Sequence, residues 1–89
     1  MMPTTMRAKL QVSSVFPHRD AETGETNSET LHFHGVSKSN GYPADGSDED
    51  NSFAKWSPSV NLQMQVMNPA LFGQFEPGQK FYVDFSSAD

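Results

Sequence analysis

Two stretches of this chain hold residue types that could do chemistry: LHFH, Leu31–His34, and GYPADGSDEDNS, Gly41–Ser52. Residues two apart on a strand share one face, so the imidazoles of His32 and His34 could reach one zinc ion. A structural zinc takes four protein ligands and a catalytic one three. With no cysteine in the chain, the other donors would come from His18 or from an acid such as Glu29 on a neighbouring strand. The plainer alternative sets both histidines on the wet face of a half-buried strand, where imidazole still changes charge near neutrality.

The second stretch carries four of the eleven acids: Asp45, Asp48, Glu49 and Asp50. An EF-hand loop places a glycine sixth and a bidentate glutamate twelfth. Counted from Asp45, the glycine comes too early, at Gly46, and the twelfth residue is Trp56. The acids therefore read as solvating a long connection and keeping a neighbouring edge strand from pairing with other chains, with a nonstandard, weak cation site as the lesser alternative. Tyr42-Pro43 adds an aromatic anchor that solvation does not require. That makes Tyr42, Asp45, Asp48, Glu49 and Asp50 candidate partner-binding residues. Trp56 and Tyr82 join them, because Trp and Tyr are enriched where interfaces are energetically decisive. The alternative is that both simply pack under a covered second face.

Catalytic parts are missing. The chain has no G-x-S-x-G, no H-E-x-x-H, no P-loop and no glycine-rich dinucleotide fingerprint. Asp48 and Asp50 sit in a polar stretch without an apolar wall to raise a carboxyl pKa. The expectation is a protein that is not an enzyme, with no cofactor and no dedicated metal site.

The elements that must position these residues are strands. Met6–Val12 alternates, with Met6, Ala8, Leu10 and Val12 facing one way. Glu29–Ser37 sets Leu31 and Phe33 opposite His32 and His34. Asn61–Met67 turns Leu62, Met64 and Val66 inward, and Lys80–Phe85 does the same with Phe81, Val83 and Phe85, leaving Tyr82 and Asp84 outside. Ser52–Trp56 is a shorter fifth candidate that stops at Ser57-Pro58. His18–Glu29 and residues 38–51 read as polar loops. Asn68 is placed to cap a helical turn, with Pro69 first in it and Gly73 just past it. Pro77-Gly78 signals a type II turn. One domain over residues 1–89 follows: all-β, a small antiparallel barrel or sandwich of about five strands, with one helical turn near Asn68–Gly73.

Composition bounds the partners. A chain of 89 residues buries only roughly 60–65% of its unfolded surface. Hydrophobic residues make up 35% of it, so a partner or copies of itself are expected to add stability. Net charge is −5, which argues against nucleic acid, whose phosphates call for a basic stripe. There is no apolar run long enough to span a membrane, and the start MMPTTMRAK lacks the apolar segment of a secretory signal.

The second half also carries a set of motifs: Asp50-Asn51, Ser57-Pro58-Ser59, Asn68-Pro69, and Phe75-Glu76-Pro77-Gly78 running on to Tyr82-Val83-Asp84-Phe85. In these it resembles a recurrent type of small, mostly uncharacterised protein encoded by tailed bacteriophages. The resemblance covers about half of the chain and supplies no catalytic residues. It implies a phage origin, in the virion or the host cytoplasm. The expected function is a structural or accessory virion protein, such as a capsid decoration or assembly component, bound to phage structural proteins or to copies of itself. The alternative it leaves open is a small inhibitor that grips a host protein through the acidic loop.

Overall fold

The structure, a computed structural model, describes residues 6–39 and 41–88; the MMPTT start lies outside them. The elements are β1 (Met6–Arg19), β2 (Thr26–Gly35), β3 (Asn61–Val66), a 3-10 turn (Pro69–Leu71) and β4 (Lys80–Phe85). All neighbouring strands are antiparallel, in the order β3-β2-β1-β4. The chain is all-β, as the alternation requires. It forms one four-stranded sheet rather than five strands closed into a barrel or sandwich.

Two expected segments differ. Ser52–Trp56 is not a strand; its residues are held by turn hydrogen bonds such as Ala54 N to Asn51 O (2.9 Å). Its Lys55 forms one isolated bridge, with Ser47. His18–Glu29 is not a loop throughout either: β1 and β2 continue through half of it, and the chain turns at residues 20–25. The Asp20 carboxylate accepts from Glu22 N (2.8 Å) and Thr23 N (3.1 Å), an Asx-type closure that needs no apolar anchor.

The sheet has one apolar face. Ala8, Leu10, Val12, Leu31, Phe33 and Val66 are buried there, with Val15, Val60, Leu62 and Val83 packed beside them. Between Val12 and Ser14 the β1–β2 register slips by one residue. This bulge at Ser13 moves the parity of β1, so that Val15 rather than Ser14 stands opposite Leu31. Phe16 is thereby turned to the wet face and left exposed. Pro17 is tolerated because β4 pairs only with Met6–Gln11, leaving the far half of β1 with a neighbour on one side only.

Because β3 and β4 are opposite edges, the connection 67–79 must cross the whole sheet. It crosses on the apolar face, where Phe72 and Phe75 pack against the core. Phe75 meets Phe33 and Phe81 with ring centroids 6.4 and 5.3 Å apart. Asn68 caps the 3-10 turn through Oδ1, which accepts from Ala70 N (3.0 Å), and Gly78 has the positive φ of 95° that the turn at Glu76–Gln79 demands. The buried Glu29 carboxylate fastens the crossing by accepting from Gly73 N (3.2 and 3.3 Å). The cover is partial. Met64, expected to point into the core, lies on the apolar face yet is 48% exposed, and Phe81 and Phe85 are exposed too. With extents of 56 × 33 × 16 Å, the molecule is one sheet and a strap thick.

Candidate functional site

The acidic stretch is folded, not merely solvated. β2 ends at Gly35, but β1 begins at Met6, so Arg7 and Lys9 need backbone partners that β2 does not supply. The 36–60 connection supplies them. Val36 N donates to Lys9 O (2.9 Å), Lys9 N to Asn51 Oδ1 (2.7 Å), Ser52 N to Arg7 O (3.0 Å) and Arg7 N to Ser52 Oγ (2.8 Å). Asn51 and Ser52 thus stand where a further stretch of β2 would run, which answers each orphaned backbone group.

Asn51 is 0% exposed and Asp48 4%. The Asn51 side chain donates to Val36 O (2.7 Å) and Asp48 Oδ2 (3.1 Å). Asp48 accepts from the backbone N of Asp50 (2.9 Å), of Asn51 (3.1 Å) and of Lys38 (3.3 Å). This is a buried polar knot with its groups satisfied, a condition that makes such a knot rigid. Asp48, expected as a partner-binding residue, is therefore turned inward: its oxygens are occupied by this loop's own amides.

The other acids are largely neutralised in place. Asp50 lies 3.3 Å from Lys9 Nζ and accepts from Tyr82 OH (3.1 Å). Glu49 pairs with Lys38 at 2.8 Å, and that hydrogen bond holds the Glu49 carboxyl below its usual range and Lys38 above its own. Asp45 accepts from Ser47 N (3.0 Å), which lowers its pKa. On the same wet face Arg7 bonds Asp84 (2.6 Å), lowering the Asp84 pKa, and lies 4.6 Å from the centre of the Tyr82 ring.

The seven expected residues fall into two groups. Asp48, Asp50 and Tyr82 join Lys9 and Asn51 at the sheet, with Glu49 beside them. Tyr42, Asp45 and Trp56 cluster at the loop's far end. There Trp56 N donates to Gly46 O (2.7 Å), and its ring stands 5.9 Å from that of Tyr42. A Cβ at Gly46 would sit 2.5 Å from the indole, and Gly46 has φ +75°, so only glycine fits under the ring. Trp56 itself has φ 66° and is 52% exposed. A bulky residue in that conformation persists only where its surroundings fix it. An open cleft of about 480 Å³ beside this end is lined by Ser47, Glu49, Ser52, Phe53 and Lys55.

The histidines do not assemble a ligand set. Glu29 is buried on the apolar face, opposite to them. His32 Nδ1 lies 3.0 Å from Ser14 Oγ, and His18 Nε2 lies 2.8 Å from Thr30 Oγ1. Among the described residues no three His, Asp or Glu side chains are grouped to hold a metal ion. Nor is any helix long and apolar enough to cross a membrane.

Lys9, Asn51 and Ser52 were missed by sequence reasoning. The signal for Asn51 was present in Asp48-x-x-Asn51, since Asp and Asn side chains bond backbone two or three residues on. The contact with β1, 42 residues away, leaves no such trace. Set against known proteins, the chain matches no family model, no curated protein and no solved structure.

Proposed function

We propose that this chain is a non-enzymatic structural or accessory protein of a phage particle, acting through protein–protein contacts. One observation carries the protein-contact part: the apolar face of a single sheet is only partly strapped, leaving Met64, Phe81 and Phe85 exposed on it and Met67 and Leu71 exposed on the strap itself. Apolar surface left exposed beside a small core is where interactions form, and a component of an assembly completes its cover on neighbours. The phage part rests on the motifs between Asp50 and Phe85. Mass spectrometry of purified particles tests the reading, with stoichiometric presence of this chain expected. Its absence from mature particles would remove the structural role.

A host-protein inhibitor working through the acidic loop draws less support. Such a grip needs free carboxylates, whereas Asp48 is buried and Asp50 and Glu49 already face Lys9 and Lys38.

A further inference from the structure

The two edges of the sheet are unlike in charge. β4 carries Lys80 and Asp84, and Asp84 is held by Arg7. β3 reads NLQMQV and carries no charge. The neutrality is wider than the strand: residues 56–75 contain no Asp, Glu, Lys or Arg, although 17 such residues occur in the chain (Lys+Arg 6, Asp+Glu 11). Among the described residues, no backbone group of Asn61–Val66 bonds to anything but β2. Natural edges are usually guarded by charge, proline, a bulge or a covering segment. Charge and proline are both missing from this strand, and no backbone partner covers it.

We propose that β3 is a self-association surface, on which β3 of a second copy pairs antiparallel and extends the sheet from four strands to eight. Three features favour a second copy as the occupant. The strand is self-complementary: a two-fold axis at Met64 sets Leu62 opposite the copy's Val66 and Gln63 opposite its Gln65, apolar on one face and amides on the other. Glutamine both donates and accepts, so like meets like without an unpaired group. And copies that each carry net charge −5 meet with least repulsion along the one edge where neither brings an acid. Met64, 48% exposed in the single chain, then packs on its own counterpart. β4 could set Lys80 opposite the copy's Asp84 only by drawing Asp84 away from Arg7.

This deepens the assembly reading and rests on it for its use in a particle, but it is decided in solution. Light scattering on the full purified chain over a range of concentrations is expected to give twice the 9.9 kDa of one chain. Gln65→Lys, on the exposed face of β3, should halve that mass with the far-ultraviolet spectrum unchanged. Gln63→Lys should do the same, and serves if the first variant misfolds. Phe85→Lys, at the β4 edge, should leave the mass doubled. Amides of Asn61–Val66 should exchange more slowly in the associated wild type than in Gln65→Lys. A chain that stays at 9.9 kDa at the highest concentration overturns the proposal, as does a dimer broken by Phe85→Lys but not by Gln65→Lys. Neither result touches the mass-spectrometric test of the particle.

Discussion

Two long connections fasten onto this small sheet, and they are held by opposite physics. The 67–79 strap lies on the apolar face and is held by Phe72 and Phe75, with one carboxylate, Glu29, fastening Gly73. The 36–60 connection lies along β1, and at its centre Asn51 and Asp48 are buried polar side chains answering backbone groups. Apolar burial is non-directional and scales with area. A buried hydrogen bond adds little net stability, but breaking one leaves a desolvated group unpaired. The strap should therefore tolerate change in graded steps, while the polar knot should fail abruptly.

The sharpest break of that contrast is Asn51→Leu. It removes the acceptor of Lys9 N and the donors to Val36 O and Asp48. Two or three buried groups left without partners, at about 1–3 kcal/mol each, should lower stability by roughly 3–5 kcal/mol in urea unfolding. A loss below about 1 kcal/mol would mean that water replaces these bonds and that the knot is not structural. Phe75→Ala should cost about 1–3 kcal/mol, less than full burial would give, because the ring is only partly buried. If it costs more than Asn51→Leu, the two regions have been ranked wrongly.

Gly46→Ala sharpens the picture at the loop's far end. It should cost about 1–2 kcal/mol through positive φ and the clash with Trp56, and it should shift the fluorescence of the single tryptophan. Unchanged emission would show that the indole does not rest on Gly46.

The smallest expected effect is on pH. Asp20, Asp45, Glu49 and Asp84 all have lowered folded-state pKa values, through backbone amides for the first two and through Lys38 and Arg7 for the others. A lowered carboxyl pKa contributes stability that is present above the unfolded value and is lost as pH falls through the folded one. The melting temperature should therefore be level near neutrality and decline as pH drops below the ordinary carboxylate range of about 4. Added salt should weaken the Arg7 and Lys38 share but not the backbone-bonded share. A melting temperature that rises on acidification would contradict these assignments.

How much of this was legible beforehand follows the same divide. The alternation in Met6–Val12, Glu29–Ser37, Asn61–Met67 and Lys80–Phe85 located each of the four strands among the described residues, because one buried face imposes a period of two on the sequence. The strap's cap and its turn were legible at Asn68 and Gly78, where single residues have local backbone consequences. The Ser13 bulge was not, since it shows only when two strands are compared. The burial of Asp48 was also hidden: in the sequence an acid beside Gly46 and Ser47 reads as solvent-facing, and only the empty place beside Arg7 and Lys9 draws the loop inward.

By itself, then, the order of residues determined the strands, the wet and dry faces, and the uncharged stretch over 56–75. Period and composition are local quantities that each residue reports alone. The tertiary structure decided that the sheet stays open, that Asn51 stands in for a missing strand, and that the uncharged β3 stands at an edge. Those outcomes depend on which distant backbone groups are left without partners, and only the folded chain brings them face to face.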